Sequence, residues 1–354
     1  MNSVELIGEL SNVNGVSGLE DEVVAVVRKH AEPFALVTED QLRNVYLHRK
    51  KNRQLPTVMV EAHSDEIGFM VQHITDNGML KFLSLGGWNA QTIMGHPVRI
   101  RDTEGRYTPA LVASKPPHFM SEEERKNGLP IEQMVIDVGA VSREDLVKNF
   151  KINVGAFVVP DGEFSYNRKS GIMTGKAFDN RVGCAAVIET LSQLENSELQ
   201  VDVVGAICSQ EEVGTRGAKV AVERVKPDLA IVFEGSPADD TYSDKPSAQC
   251  ALKGGAQIRY LDASLIANPR LARFFRDTAM ENNIKFQEAV REAGKTDAGA
   301  IALGSGGTPV IVIGVPVRYA HCNYGYCALE DYQASIELCC QVIRRLDKET
   351  IDGF

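Results

Sequence analysis

The sequence predicts an α/β fold in which a mostly parallel, mixed sheet is sandwiched between helices and interrupted by a β-rich segment. The chain has 354 residues, and because single cores stop growing near roughly 250 to 300 residues, we expect two domains. Strand and helix patterns alternate over the second half of the chain, whereas residues 67–167 carry short alternating runs. We therefore interpret 67–167 as an insertion into a first domain formed by 1–66 and 168–354.

Each predicted element follows from a local pattern. Over residues 2–33 apolar positions recur at helical spacing, and LPTVMVEAH then predicts a short buried strand. Within the insertion, Asn-Gly, Gly-Gly and Pro-Asp turn signals separate strand-like runs such as GMLKFL and HPVRIRD. Helical and strand patterns then alternate in NRVGCAAVIETLSQL, QVDVVGAICSQ, RGAKVAVERV, DLAIVFEG, NPRLARFFRDTAMENN and TPVIVIGVPV. A long helix over residues 328–350 is predicted to follow.

Composition and charge exclude several classes of protein. Hydrophobic residues make up 44% and charged residues 24% of the chain, which is typical of a folded globular enzyme. A net charge of -10 without a dense Lys/Arg run argues against a nucleic-acid partner. No apolar stretch approaches the roughly 20 residues that span a bilayer, and the acidic N-terminal segment does not resemble a signal peptide. We expect a cytoplasmic protein without a membrane partner.

The cysteines predict reduced thiols rather than a structural metal site. Their number is seven, and no Cys-x-x-Cys spacing occurs. Cys339 and Cys340 are adjacent within an apolar helical pattern, which favours burial in the reduced form. A zinc ribbon is excluded.

Side chains that could bind metals follow four of the predicted strands. Open α/β sheets bind ligands beyond the carboxyl ends of their strands, so polar residues at those ends are the first candidates. Histidine and carboxylate side chains together suit divalent zinc, cobalt or manganese. The candidates are His63 and Asp65, Glu211 and Glu212, Glu234, and His321.

Two further features are consistent with a site for two ions. Asp179 begins a helix after the insertion and could bridge two ions, although taken alone it is equally well explained as a helix N-cap. The neighbouring Glu211 and Glu212 cannot easily aim both carboxylates at one point, so we expect one to bind metal and the other to act as general base. Two ions roughly 3.5 to 4 Å apart could activate a shared water for amide hydrolysis.

The chain resembles family 42 of the metallopeptidases, the tetrahedral or glutamyl aminopeptidases. The resemblance covers nearly the whole chain and rests on AHSDEIGFMV, GKAFDNRVG, SQEEVGTRGA, VFEG, KTDAGA and RYAH. It implies a zinc-peptidase-like catalytic domain that holds two zinc or cobalt ions and releases N-terminal residues from short peptides. It also implies that the insertion is a barrel-like dimerisation domain and that dimers assemble into a hollow dodecamer.

The resemblance assigns a role to each candidate. It implies that His63 and Glu234 hold one ion. Glu212 and His321 would hold the other, with Asp179 bridging both.

The same resemblance gives roles to the remaining residues of these motifs. Glu211 would be the general base, and Asp65 would orient the His63 imidazole from behind. The peptide between Asp179 and Asn180 is expected to be cis.

The sequence departs from the family pattern in three places. The position of Glu234 is usually Asp, and the longer side chain is expected to change how tightly an ion is held. Lys295 replaces the second glycine of a pair that commonly precedes Thr-Asp, and Cys322 follows His321 where Ser is more usual. Lys253 and Lys295 are candidate contacts for a substrate carboxylate.

Two other functions are compatible with the same residues. One is a metal-dependent deacylase or carboxypeptidase that acts on N-acylated small molecules. The other is a non-catalytic, shell-forming protein that keeps the scaffold. Because every expected ligand position carries a side chain that can bind metal, the sequence favours an enzyme.

Overall fold

The computed structural model describes residues 2–113, 115–244 and 247–354. Its helices are α1 (Ser3–Asn12), α2 (Asp21–Ala31), α3 (Ala90–Ile93), α4 (Glu122–Asn127), α5 (Arg143–Lys148), α6 (Phe178–Leu194), α7 (Arg216–Val225), α8 (Pro269–Glu281), α9 (Asp297–Leu303), α10 (Leu329–Arg345) and α11 (Lys348–Asp352). Its strands are β1 (Ala35–Glu39), β2 (Val45–Arg49), β3 (Thr57–His63), β4 (Gly68–Ile74), β5 (Leu80–Leu85), β6 (Pro97–Arg101), β7 (Tyr107–Val112), β8 (Ile136–Asp137), β9 (Phe157–Pro160), β10 (Ser165–Asn167), β11 (Ile172–Gly175), β12 (Asp202–Cys208), β13 (Leu229–Pro237), β14 (Ala256–Leu261), β15 (Phe286–Val290), β16 (Val310–Arg318) and β17 (Gly325–Ala328).

A large mixed sheet forms the centre of the molecule. Its strand order is β1-β2-β12-β3-β13-β16-β17-β11-β10, and β14 and β15 continue from β16. The four central strands, β12, β3, β13 and β16, are parallel to one another, whereas both margins of this path are antiparallel. The predicted α/β class is confirmed. The antiparallel margins were not predicted, because their short strands carry too few residues for a clear pattern.

Helices cover both faces of this sheet. On one face α6 and α10 pack with α1, α2 and α8 over a core that includes Val187, Ile313 and Leu338. On the other face α7 and α9 cover a smaller core around Tyr46 and Val312. Strands that are buried on both faces need apolar side chains at nearly every position, which explains the unbroken apolar runs of β12, β13 and β16.

The predicted insertion contains a closed barrel. Its strand order is β4-β5-β8-β7-β6-β9 and all of its pairings are antiparallel. The barrel has a core of its own, which includes Phe69, Ile100, Ile136 and Val158. The barrel closes through β8, whose two residues pair with both β7 and β5.

Two local predictions can be compared directly with the structure. The predicted helix over 328–350 is wrong in its last turn, because α10 ends at Arg345. A separate helix, α11, begins after Asp347. The Asp347 side chain accepts a hydrogen bond from the Thr350 amide at 2.8 Å. Aspartate is a favoured N-cap, and here it starts a new helix. All seven cysteines are free and six are buried, as expected for reduced thiols.

Within the described ranges, none of the helices has both the length and the apolar character needed to cross a bilayer.

Candidate metal centre

The parallel strands bring the predicted ligands to one edge of the sheet. His63 is the last residue of β3 and pairs in register with Cys208, the last residue of β12. Glu211 and Glu212 follow directly after β12, Glu234 lies within β13, and His321 follows β16. Because all four strands run in the same direction, their carboxyl ends meet at this edge.

Two of these side chains and Asp179 of α6 form the inner triad, defined as His63, Asp179 and Glu234. Nε2 of His63 lies 3.2 Å from Oδ1 of Asp179 and 3.9 Å from Oε2 of Glu234. The side chains are 2%, 10% and 8% exposed, respectively. The extra methylene of Glu234 therefore does not move its carboxylate away from His63 and Asp179. The Glu234 oxygen that faces His63 also accepts a hydrogen bond from the Asn180 side chain at 3.1 Å.

A second group forms the outer triad, defined as Asp179, Glu212 and His321. Nε2 of His321 lies 3.3 Å from Oδ2 of Asp179 and 3.3 Å from Oε1 of Glu212. The His321 side chain is 36% exposed, so this group is more open than the inner triad. Asp179 belongs to both triads and presents one carboxylate oxygen to each histidine.

The position of Asp179 is not that of a helix N-cap. The residue before α6 is Ala177, which makes no side-chain capping bond, and the regular part of α6 is capped by Asn180, whose side-chain oxygen accepts a hydrogen bond from the Gly183 amide at 3.1 Å. Asp179 has non-helical backbone angles, and the peptide that joins it to Asn180 is cis, as the resemblance implies. The Asn180 side chain anchors this turn by donating to the Phe233 carbonyl at 2.8 Å. The turn therefore aims the Asp179 carboxylate at the two histidines.

Asp65 lies beneath His63 and holds the Glu211–Glu212 segment. One carboxylate oxygen of Asp65 lies 3.5 Å from Nδ1 of His63. The same carboxylate accepts hydrogen bonds from the backbone amides of Glu211 at 2.9 Å and Glu212 at 3.2 Å, and from the Ser17 hydroxyl at 2.6 Å. Asp65 thus connects the ends of β3 and β12.

Burial and mutual charge shift the pKa values of these groups strongly. Burial raises the pKa of Glu211 to about 9, with the neighbouring carboxylates adding to the effect against the favourable charge of His63. Burial also raises the pKa of Glu234 well above its usual range, and Asp179 acts in the same direction. Burial opposes protonation of His321, but hydrogen bonds to Asp179 and Glu212 outweigh it and raise the pKa to about 11.

The donor set fits divalent cations. Oxygen and imidazole nitrogen atoms are the ligands that zinc, cobalt and manganese accept, and the candidate ligand atoms of each triad lie within 4.8 Å of one another. Oε1 of Glu212 is buried and lies 3.3 Å from Nε2 of His321. Buried carboxylates so close together need positive charge nearby, and a cation would supply it.

An ion cluster that sequence reasoning missed supports the turn around Asp179. Nζ of Lys176 donates to Oε1 of Glu66, and Arg181 lies 3.3 Å from the same oxygen. All three side chains are at most 2% exposed. Since Lys176 and Arg181 flank Asp179 in sequence, the cluster fixes this segment to the residues that follow His63. The signal available in the sequence was the pair of basic residues on either side of Asp179.

A second missed group lies in the core close to the triads. Glu61, Cys208 and Asp297 approach one another within 4.8 Å and are all buried. Among the residues that the structure describes, no donor is assigned to any of the four carboxylate oxygens of Glu61 and Asp297. Burial raises the pKa of Glu61 to about 7 and that of Asp297 well above its usual range. Burial therefore favours the protonated form of these carboxyl groups.

The remaining candidates from the sequence lie outside the triads. Lys253 and Lys295 are exposed, and Nζ of Lys253 lies 3.5 Å from Glu330. Cys322 lines a cavity of about 20 Å³ beside Asp179 and His321 but belongs to neither triad.

Solved structures to which this chain is similar include aminopeptidases. A TET aminopeptidase from a marine sediment Thaumarchaeota archaeon superposes with a TM-score of 0.94 at 36% sequence identity, and the match covers 99% of each chain. The TET1 peptidase of Pyrococcus horikoshii, described as able to assemble into a tetrahedron or a large octahedral shell, matches with a TM-score of 0.87 at 27% identity, over 98% of this chain and 100% of its own. The fold is therefore that of the TET aminopeptidases.

The family follows from the sequence. Residues 43–338 match the family model described as M42 glutamyl aminopeptidase. The putative aminopeptidase FrvX of Escherichia coli (strain K12) is 34% identical over 354 residues, which span 99% of this chain and 98% of that protein. The chain belongs to the M42 glutamyl aminopeptidase family and is an aminopeptidase, a hydrolase of peptide bonds.

Proposed function

We propose that this protein is a dinuclear metal-dependent aminopeptidase that releases N-terminal residues from short peptides. The observation that carries the proposal is the position of Asp179, whose two carboxylate oxygens face His63 at 3.2 Å and His321 at 3.3 Å. A carboxylate held between two imidazoles in this way is suited to bridge two cations.

The inner triad would hold one ion and the outer triad the other. Zinc, cobalt and manganese all suit these ligands. When bound, the two ions would polarise the scissile carbonyl and lower the pKa of a water molecule.

Glu211 is the proposed general base. It belongs to neither triad, and Asp65 holds its backbone amide at 2.9 Å. Burial raises the pKa of Glu211 to about 9 in the absence of ions, and two bound cations would lower this pKa so that the carboxylate could accept a proton. Glu211 takes the proton of the attacking water and delivers it to the amine that leaves. Glu212 would bind an ion instead, because its carboxylate lies 3.3 Å from His321. The neighbouring glutamates thus have separate tasks.

We also propose that the protein self-associates to dimers through the domain formed by 67–167, and that dimers assemble into a dodecamer. Support comes from apolar side chains on the outside of this segment, including Leu83, Phe119 and Val141, which are 55%, 73% and 82% exposed. Exposed apolar groups in one region are typical of an interaction surface. Residues 1–66 and 168–354 would form the catalytic domain, and β10 (Ser165–Asn167) joins the sheet of this domain by pairing with β11. The seven free cysteines fit a reducing compartment such as the cytoplasm.

Metal removal tests the proposed chemistry. Exhaustive treatment with EDTA should abolish hydrolysis of amino-acyl anilides, and zinc, cobalt or manganese should restore it. N-acetylated substrates should remain uncleaved throughout, which separates an aminopeptidase from a deacylase. Full activity in protein shown by elemental analysis to be free of metal would refute the proposal.

The variant Glu211→Gln tests the general base. Glutamine keeps the shape of the side chain but cannot accept the proton, so kcat should fall by about 10²- to 10⁴-fold while both ions stay bound. Glu223→Gln, which replaces a glutamate in α7 outside both triads, is the matched control and should leave kcat unchanged. Normal kcat in Glu211→Gln would show that another group is the base.

A further inference from the structure

The loop that follows β5 of the barrel contacts two members of the outer triad. Nδ1 of His321 donates to the carbonyl of Gly87 at 2.7 Å, although 234 residues separate them. Because a carbonyl oxygen can only accept, this bond holds a proton on Nδ1, so Nε2, which faces Asp179 and Glu212, is the nitrogen that would bind a cation. The barrel thereby selects the tautomer of His321 that can bind a cation.

The same loop also limits the position of Glu212. Gly86 has φ +82°, and a Cβ atom built on it would lie 2.8 Å from Oε2 of Glu212 and 2.6 Å from the Ile67 side chain. Only glycine allows this approach and this backbone conformation. The adjacent Trp88 anchors the loop to the barrel, since its indole nitrogen donates to the Gly68 carbonyl at 3.1 Å and its ring stacks on Phe69 at 4.7 Å.

A second connection joins the barrel to the segment that carries His321. Asn323 is 4% exposed and donates to the carbonyls of Pro97 at 2.7 Å and Asp161 at 3.2 Å. Its side-chain oxygen lies 2.7 Å from Nδ1 of His96. Pro97 begins β6 and Asp161 directly follows β9, so one buried amide clamps the turn after β16 to two strands of the barrel.

Within the described part of the chain, His63 and Glu234 show no comparable link to the barrel. Nδ1 of His63 lies 3.2 Å from the Asp65 carbonyl, a partner only two residues away in sequence. His63 and Glu234 lie on neighbouring strands of the central sheet, β3 and β13. The two triads are therefore supported by different parts of the molecule.

We infer that Asn323 is a positioning residue through which the barrel, together with the Gly86–Gly87 loop, holds the outer triad in its ion-binding geometry. Partners behind metal ligands typically contribute 10- to 100-fold to metal affinity. The inference rests on the proposed function, because it assumes that the outer triad binds an ion. It predicts that substitution of Asn323 lowers the affinity of the outer triad for its ion and leaves the affinity of the inner triad unchanged.

Calorimetric titration of the full chain with zinc, checked by elemental analysis, tests this inference. Asn323→Ala should keep one tight ion per chain and bind the second about 10- to 100-fold more weakly than the wild type. The matched control is Asn52→Ala, which removes a side chain with two hydrogen bonds to Val203 near the start of β12. This control should bind both ions as the wild type does.

His96→Ala provides a second, milder variant in case Asn323→Ala does not fold. It removes one of the three hydrogen bonds of Asn323, and it should weaken the same ion by a smaller factor, roughly 3- to 10-fold. Activity of both variants should recover when zinc is raised, with kcat close to that of the wild type.

Unchanged affinity for both ions in Asn323→Ala and His96→Ala would overturn the inference, and so would an equal loss of both ions from folded protein. If the wild type itself bound no second ion, the proposed dinuclear function would fail instead. The two failures are therefore distinguishable in the same titration.

Discussion

The inner and outer triads share Asp179 but differ in what holds them. The inner triad is built on the central sheet, and its histidine is 2% exposed. The outer triad takes its histidine from a turn held by the barrel, and that side chain is 36% exposed. The same centre thus has one ion-binding position that is held by the central sheet. The other position depends on contacts between segments that are far apart in the chain.

This difference has a chemical consequence. A ligand set buried in the sheet excludes water and resists exchange, whereas a more open set exchanges more readily and is accessible to a substrate. We expect the inner ion to serve the stability of the centre and the outer ion to be the one that is lost first.

The largest effect is expected from Asp179→Asn. This variant should prevent ion binding by both triads, so the inner and outer positions would no longer differ. An amide offers one oxygen where the carboxylate offers two, so it cannot face both histidines. Metal content should fall for both ions and activity by more than about 1,000-fold, measured by elemental analysis and anilide hydrolysis. Asp228→Asn, at an exposed residue that accepts a hydrogen bond from the Thr57 amide, is the control. Two ions retained in Asp179→Asn would refute the shared role.

His321→Ala should abolish the outer position alone. The wild type is expected to lose its ions to a chelator in two phases, each equal to one ion per chain, and the variant should lack the faster phase. Activity should fall by about 100-fold, because one of the two ions is missing. His63→Ala is the matched comparison and should remove the slower phase. A single phase of two ions in the wild type would show that the triads do not differ.

Glu234→Asp tests how closely the inner triad is fitted to the longer acid. Shortening the side chain by one methylene withdraws the oxygen that faces His63 and accepts from Asn180 at 3.1 Å. The affinity of the inner ion should fall by roughly 10-fold, and that of the outer ion should not change. Calorimetric titration measures both. Tighter binding in the variant would mean that glutamate at this position weakens the site.

Glu20→Gln should affect stability but neither ion. Burial and the nearby Asp65 raise the pKa of Glu20 from 4.5 to about 7. Between pH 4.5 and about 7 the Glu20 carboxyl group therefore keeps its proton in the folded protein but loses it in the unfolded chain. The free energy of unfolding consequently falls as the pH rises through this range. At pH 8 the variant should be more stable than the wild type by about 1 to 3 kcal/mol, with no difference at pH 4.

Urea unfolding at several pH values measures this effect. Glu5→Gln, at an exposed position of α1, is the control and should show no pH-dependent difference. A stability difference for Glu20→Gln that is constant between pH 4 and pH 8 would contradict the raised pKa.

The sequence predicted the members of the centre better than its supports. His63, Glu212, Glu234 and His321 could be predicted to lie together because parallel strands share a carboxyl edge. Pattern alone could not decide between an N-cap and a bridging role for Asp179, because both place a carboxylate at the start of a helix.

The supports could not be predicted because they join segments that are far apart in the chain. Asn323 and His96 are separated by 227 residues, and nothing in either local pattern indicates the contact. Glu61 was hidden within an apolar strand, and Asp297 at the start of a short helix; their proximity depends on how β3 and α9 pack. Long-range packing, which is absent from local periodicity, supplies this part of the site.

The most direct test of a centre with two ions is a crystal structure of zinc-loaded protein with anomalous difference maps at the zinc edge. Two peaks per chain are expected, one bound by His63, Glu234 and Asp179 and the other by Glu212, His321 and Asp179. A single peak, or two peaks of which neither is bound by Asp179, would contradict this expectation.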